Sequence, residues 1–395
     1  MSNTDFHVND TVLSLHRYPP SRDKSLQAWD SADEYIIRYI ETEDLYSKLG
    51  NMLIVNDEFG ALCCNFHEYS PTLVSDSFLS HRAIEKNFLK NLSDKDAVPQ
   101  INYSDALSMT SLNTAFDSVL IKIPRTLALL EHQLIALQQL VHRDTLFIAA
   151  GKVKAITNSV LSLIDKHLGK ASTSLAQKKA RLVFCAIDDS KQSVSPYPTR
   201  INDPSINFEL INHANVFCRE HLDIGARMLL KHLPKSVVNS NSQQENSRSK
   251  RVIDLGCGNG VIGIQYLLNH PNHHVMFVDE SYMAVASAKA GAEKAGVFDR
   301  ASFLVSDCLS ELQQSQEAAF DLVLCNPPFH QQNTITDDIA WRMFSHAHQY
   351  LKVNGELRVV ANRHLDYANK LKRLFGGTKI IGSNKKFVVF SAIKN

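Results

Sequence analysis

The sequence predicts two doubly wound, Rossmann-like α/β units in tandem, the second complete and the first a degenerate copy. Three observations predict this. In the C-terminal half, short apolar strands alternate with helical segments, the pattern of a largely parallel sheet. A glycine-rich turn, Asp254-Leu255-Gly256-Cys257-Gly258-Asn259-Gly260, follows the first of those strands and opens a helix. Four segments of the first half recur in the same order in the second.

The recurring segments begin with Leu53-Ile54-Val55-Asn56-Asp57-Glu58-Phe59-Gly60, which stands where Val252-Ile253-Asp254-Leu255-Gly256 stands later. Val74-Ser75-Asp76-Ser77 matches Val278-Asp279-Glu280-Ser281, and Asp117 to Pro124 matches Asp321 to Pro328. Val183-Phe184-Cys185-Ala186-Ile187 matches Val389-Phe390-Ser391-Ala392-Ile393. The second and third matches lie 41 residues apart in one half (Asp76 to Asp117) and 42 in the other (Asp279 to Asp321). Between the halves, Asp188 to Ser205 carries Pro196, Pro198 and Pro204 and reads as a boundary. The predicted division is a unit at 1–190, a linker at 191–205 and a unit at 206–395.

A second polar stretch, Ser236 to Ser249, reads as a surface loop. After it come a predicted strand at Arg251–Leu255, a helix through Leu268, a strand at His274–Val278 and a helix at Met283–Ala295. Strands follow at Ala301–Val305, Phe320–Cys325 and Glu356–Ala361, and Lys379–Ile381 with Phe387–Ile393 is expected to close the edge as a hairpin. In such sheets ligands bind beyond the carboxyl ends of the strands, where the glycine turn falls.

Composition narrows the class. A chain of 395 residues with 44% hydrophobic and 21% charged residues belongs to soluble globular proteins and is long enough for two cores. No apolar run approaches a membrane span, and the N-terminus carries no secretory pattern. The seven cysteines form no C-x-x-C pair, so reduced thiols, a cytoplasmic location and no metal site are expected. Net charge is only +1, but the last 45 residues hold ten Lys/Arg against two acids, which suits an anionic partner, although from charge alone a solvated helix face is the better reading.

The glycine turn is ambiguous alone. Gly258-x-Gly260-x-x-Gly263 also satisfies the dinucleotide fingerprint, with Asp279 about 20 residues on. Three details favour a sulfonium cofactor. Asp254 precedes the first glycine, where it could accept from an ammonium and would repel a pyrophosphate. Asp279 and Glu280 follow the second strand and could accept both ribose hydroxyls. Ser306-Asp307-Cys308 ends the third strand, where a carboxylate could accept from an adenine amine. Each acid alone is better explained as a helix cap; four acids at successive strand ends are better explained by one ligand.

Asn326-Pro327-Pro328-Phe329 is more selective. Proline fixes the backbone and removes N–H donors, leaving carbonyls. Asn326 Oδ1 and the Pro327 carbonyl can each accept one hydrogen of a planar amine, and Phe329 offers a face for a flipped base. The pattern points to methyl transfer to an exocyclic nitrogen, a reaction in which positioning supplies most of the barrier reduction. The first copy lacks this chemistry: its turn keeps one glycine, and its fourth strand ends Lys122-Ile123-Pro124. Arg363 and His364, after the strand that ends at Ala361, could contact phosphate and stack on a base. His330-Gln331-Gln332 could shape the base pocket. Lys178 with Lys179 and Lys385 with Lys386 precede equivalent strands and could face one RNA surface. His346 and His348, near Trp341 and Phe344, fit ordinary packing better than a metal site.

The chain resembles the two-domain bacterial ribosomal RNA guanine-N2 methyltransferases, most closely the large-subunit 23S rRNA enzymes. The resemblance covers nearly the whole length. It is carried by Leu26 to Asp30, Pro124 to Glu131, His213 to Phe217, Leu222 to Arg227, Asn326 to Gln332 and Ala361 to Tyr367. It implies tandem class I methyltransferase folds, S-adenosylmethionine as donor, a guanine N2 of 23S rRNA as acceptor, and a first domain that holds RNA without cofactor. Asp254, Gly256, Gly258, Gly260, Asp279, Glu280, Asp307 and Cys308 take cofactor roles, and Asn326, Pro327, Pro328 and Phe329 hold the base. Phe217 and Asp223 match the segment before the cofactor strand and are expected to cap the methionine end. A monomer is expected. Other readings are a 16S rRNA guanine-N2 methyltransferase, a protein glutamine N-methyltransferase, or a non-catalytic RNA-binding assembly factor. The Ser236–Ser249 stretch departs from the family pattern by its length and polarity.

Overall fold

A computed structural model of the chain describes residues 3–21, 23–92, 101–235, 249–328 and 334–395. The Ser236–Ser249 loop, apart from Ser249, lies outside them, as do Phe329 and His330-Gln331-Gln332. The chain divides into two compact units, Met1–Tyr197 and Pro198–Asn395, with the division inside the proline-bearing stretch.

The first unit opens with a hairpin, β1 (Asp5–Val8) and β2 (Thr11–Ser14), then α1 (Ser31–Thr42). There follow β3 (Met52–Val55), α2 (Ala61–Asn65), β4 (Thr72–Ser75), α3 (Phe78–Asn91), β5 (Asn102–Asp105) and β6 (Ser118–Lys122). α4 (Leu127–Leu137), β7 (Leu146–Lys152), α5 (Asn158–His167), β8 (Gly169–Thr173) and β9 (Ala180–Ile187) complete it. The strands form a seven-stranded sheet in the order β5-β4-β3-β6-β7-β9-β8. β3 is buried along its whole length, as a central strand covered on both faces must be.

The second unit begins with a small hairpin, β10 (Thr199–Ile201) and β11 (Leu210–Asn212), so the stretch read as linker contributes a strand to it. α6 (Ile224–Leu230), β12 (Arg251–Leu255), α7 (Val261–Asn269), β13 (His274–Asp279), α8 (Tyr282–Lys294), β14 (Ala301–Val305) and β15 (Phe320–Cys325) follow. α9 (Thr334–Tyr350), β16 (Leu351–Asn362), α10 (Tyr367–Phe375), β17 (Lys379–Ser383) and β18 (Phe387–Ile393) end the chain. The sheet order, β14-β13-β12-β15-β16-β18-β17, repeats that of the first unit position for position. β18 runs antiparallel to both neighbours and sits inside the sheet, leaving β17 at the edge.

Alternation along the strands sorts two cores. Val252, Leu322 and Leu324 pack on one face of the second sheet, Ile253, Leu255 and Val323 on the other. Helix starts are set by side-chain caps: Ser77 accepts from the Ser80 N–H, Ser281 from the Ala284 N–H, and Asp223 from the Ala226 N–H. The chain reverses direction across the sheet between β12 and β15, and ligand crevices form at such switch points.

Candidate active site

The glycine turn leaves β12 with three glycines at positive φ: Gly256 at 71°, Gly258 at 54° and Gly260 at 78°. L-residues rarely adopt that region. A Cβ on Gly260 would lie 2.8 Å from Ala288 Cβ, whereas one on Gly258 would meet nothing within 4 Å. The turn is anchored on the neighbouring strand: the Gly256 and Cys257 N–H groups donate to the Val278 carbonyl at 2.8 and 3.0 Å. The Gly258 N–H donates to Asp279 Oδ2 at 2.9 Å, and the Ser281 N–H to Asp279 Oδ1 at 3.1 Å. Asn259 Nδ2 ties the turn to Asn212 Oδ1 on β11 at 3.0 Å.

Asp254 lies inside the central strand β12, one residue before its carboxyl end. Its Oδ2 accepts from the Gly263 N–H at 2.9 Å, while Oδ1 is buried with no hydrogen-bond partner among the described residues. Burial pushes its carboxyl up to about 8, against the Gly263 N–H and with help from nearby Asp279. Asp279 is also shifted upward, chiefly by burial. Glu280 follows it at the same strand end, and the buried Asp307, with Cys308 at φ 53°, follows β14. Asp307 is not open to a ligand: the Arg342 guanidinium from α9 contacts its Oδ1.

Asn326, directly after β15, occupies the other side of the switch point. Its Nδ2 donates to Asp223 Oδ2 at 3.0 Å, and its Oδ1 is buried without a partner among the described residues. Pro327 is buried and Pro328 exposed. Asp223 thus lies behind the Asn326 amide, a different role from the methionine-end cap that the resemblance implied. Phe217, in the same β11–α6 loop, is more than half exposed.

The first unit has the same framework with its site filled. Asn56 takes the place of Gly256, at φ 62° and with its N–H on the Val74 carbonyl at 2.9 Å. Ile54 takes the place of Asp254. The Asn56 side chain is consumed by Gln133, through bonds of 2.8 and 3.0 Å, and by the Lys122 carbonyl at 2.9 Å. The Asp57 carboxylate accepts the N–H groups of Gly60, Leu62 and Cys63. Phe59 is buried under the Arg17 guanidinium, 4.4 Å from its ring centroid. Lys122, in the place of Asn326, pairs with Asp30 at 2.9 Å and Asp33 at 2.5 Å. Burial opposes the Lys122 ammonium, but the Asp33 and Asp30 carboxylates outweigh it and hold its pKa above the ordinary value.

On the rim beyond β16, Arg363 and His364 are exposed, and the Arg363 N–H donates to the Lys386 carbonyl at 3.0 Å. The turn with Lys385 and Lys386 therefore lies beside them. In the first unit Lys178 and Lys179 are exposed at the tip of the β8–β9 hairpin, Lys178 paired with Glu34 at 3.0 Å. His346 Nδ1 accepts from the Leu309 N–H at 3.1 Å, and His348 meets Phe375 edge-on, so both serve packing. The sequence did not single out Arg342, or Met343, whose Cε lies 3.1 Å from a Cβ built on Gly256. Both sit on a helix that reads as ordinary packing, and only the fold brings Arg342 to Asp307 and Met343 to the glycine turn. Asn362 Oδ1 is buried at the end of β16 without a partner among the described residues.

Two family descriptions match the chain: RLMG N-terminal domain over residues 3–189 and Methyltransferase small domain over residues 207–391. Ribosomal RNA large subunit methyltransferase G of Pseudoalteromonas atlantica is 49% identical over 397 residues, covering 99% of each chain. The protein of that name from Aeromonas salmonicida is 46% identical, covering 97% of each. The structure of a T. Thermophilus 16S rRNA N2 methyltransferase, in complex with AdoMet and guanosine, superimposes with a TM-score of 0.75 over 99% of this chain and 98% of its own. At 17% identity that likeness establishes the fold, a tandem pair of class I methyltransferase units.

Proposed function

The chain belongs to the ribosomal RNA large subunit methyltransferase G family, and from that premise we propose that it methylates the exocyclic N2 of a specific guanine in 23S ribosomal RNA. The observation that carries the reading is the Asn326 amide, turned by Asp223 so that a buried Oδ1, without a partner among the described residues, faces away from the carboxylate. A buried acceptor without a partner is disfavoured by about 1–3 kcal/mol, and a guanine amine relieves that deficit. Asn326 Oδ1 and the Pro327 carbonyl would each take one N–H, Pro328 would stiffen the turn, and Phe329 would stack on the flipped base.

Two features fit S-adenosylmethionine: the Asp254 Oδ1, which has no partner among the described residues and suits an ammonium, and the open space at Gly258, which lets a ligand approach the backbone closely. When bound, the cofactor supplies a methyl group already activated by a positive sulfur. Gly256, Gly258 and Gly260 would cradle it, Asp279 and Glu280 would hold the ribose, and Asp307 with Cys308 would flank the adenine once Arg342 moves off. Phe217 would cover the methionine end.

Arg363, His364, Lys385 and Lys386 would grip the RNA, and Lys178 with Lys179 would offer the first unit a contact of its own with RNA. We take the protein to act as a monomer in the cytoplasm; no described helix is long and apolar enough to cross a membrane. The test is methyl transfer from S-adenosylmethionine to protein-free 23S rRNA, read by nuclease digestion and mass spectrometry as N2-methylguanosine. Product on 16S rRNA alone would move the activity to the small subunit, and no transfer to any RNA would end the proposal.

A further inference from the structure

We propose that Asp223 is a positioning residue for the transfer: its carboxylate fixes the orientation of the Asn326 amide and strengthens the Oδ1 that faces the substrate amine. This rests on the reading of Asn326 as the residue that holds the guanine amine.

The geometry gives the amide one sense. Asp223 Oδ2 accepts from Asn326 Nδ2 at 3.0 Å and from the Ala226 N–H at 2.8 Å, so the carboxylate is itself held by the first turn of α6. A carboxylate can only accept, so the NH2 end of the amide has to face it and the oxygen has to face away. The two ends of an amide are nearly equal in size, and packing alone does not choose between them. In the reversed sense the site would present two N–H donors to an amine that is itself a donor. Asp223 therefore decides whether the site attracts or repels its substrate.

Orientation is half of the effect. A hydrogen bond to a carboxylate polarises the amide and draws electron density onto Oδ1. Positive charge develops on the guanine nitrogen as it is methylated, and a more negative Oδ1 meets that charge where it forms.

The first unit supports this independently. Asp30 caps α1 by accepting from the Ala32 N–H at 2.9 Å, as Asp223 caps α6, and it also contacts the residue after the fourth strand's core, Lys122, at 2.9 Å. β6 and β15 hold the same place in their sheets. The contact between the capping aspartate and the strand-end residue is thus present in both units. An ammonium has no acceptor to offer on its far side, whereas an amide does. Only the second unit can pass the aspartate's influence on to a ligand.

Two substitutions in the full chain separate this role from capping. Asp223→Ser keeps a good N-cap but is too short to reach Asn326; Asp223→Asn keeps both acceptor contacts and loses the charge. With 23S rRNA as substrate, Asp223→Ser should lower kcat by on the order of ten- to a hundredfold, the range of a lost charge-assisted hydrogen bond. KM for RNA and the calorimetric affinity for S-adenosylmethionine should stay within about threefold, and Asp223→Asn should recover part of kcat. Independently of activity, the Asn326 side-chain NH2 signals in a 15N spectrum, identified by their loss in Asn326→Ala, should shift upfield in Asp223→Ser. Wild-type kcat in Asp223→Ser, cofactor affinity falling in step with kcat, or unmoved NH2 signals would each overturn the proposal. Should the serine variant not fold, an Asp223→Asn kcat equal to wild type would do the same. A wild-type protein that methylates no RNA removes the reading of Asn326 instead, and the NH2 shift still reports on the contact.

Discussion

Gly258→Ala should separate cofactor binding from folding, because the turn leaves room for a side chain there and leaves none at Gly260. At Gly258 a Cβ meets nothing within 4 Å, so the only folding penalty is the left-handed φ of 54°. That penalty is about 1–2 kcal/mol, or roughly 2–8 °C in melting temperature for a unit of this size. At Gly260 the φ of 78° carries the same penalty, and a Cβ would also press within 2.8 Å of Ala288 Cβ and 3.0 Å of its Cα. Overpacking of that kind adds about 1–3 kcal/mol, for a loss of roughly 4–20 °C. The methyl of Gly258→Ala points into the space assigned to S-adenosylmethionine, so its affinity should fall at least about tenfold, or ~1.4 kcal/mol. Scanning calorimetry on the unliganded chain and titration calorimetry with S-adenosylmethionine measure the two effects. Wild-type affinity in Gly258→Ala would refute the placement of the cofactor, and Gly258→Ala melting below Gly260→Ala would refute the steric reasoning.

Asn326→Ala should abolish turnover and leave cofactor affinity within a few-fold; a parallel loss by calorimetry would contradict the base-holding role. The Asp254 carboxyl, pushed up to about 8 by burial, keeps a proton in the folded state that the unfolded chain releases near pH ~4. Its contribution to stability is therefore complete below that pH and lost as the pH rises toward about 8. Asp254→Asn should gain in melting temperature relative to wild type between pH 5 and 8, and parallel pH curves would count against the shift. In the first unit, Asp33 lies at about 6 because burial outweighs the pull of Lys122. Lys122→Met leaves the buried Asp33 without its cation and should destabilise the unit by about 3–5 kcal/mol in denaturant titration. A loss under ~1 kcal/mol would show the triad to be dispensable.

Local pattern made much of this molecule legible. Arg251–Leu255, Ala301–Val305 and Phe320–Cys325 are strands over the residues predicted, because buried parallel strands announce themselves as short apolar runs between turn signals. β16 begins earlier than predicted, at Leu351. The Asn354-Gly355 pair reads as a break, yet the strand absorbs it as an irregularity, with Asn354 at φ 65°. The short hairpins that open each unit were not legible, since three- and four-residue strands carry too little periodicity. In the site, the glycines and acids at the strand ends are visible because chain order alone places them on one rim. The Asp223–Asn326 contact spans 103 residues, Lys122–Asp30 spans 92, and Arg342 reaches Asp307 from another helix. Such pairings depend on how distant segments pack, and no local signal records them.

The interior position of β18 sets a timetable for synthesis. The first unit is complete once Tyr197 has been made, whereas the second sheet lacks an inner strand until Phe387–Ile393 has been added. At roughly ten residues per second, about twenty seconds separate the two events on the ribosome. During that interval a finished first unit is tethered to an unfinished second one whose β16 edge is unpaired. A nascent chain interrupted before Phe387 would carry a folded first half and an open sheet edge, a species prone to aggregate and suited to removal by proteases.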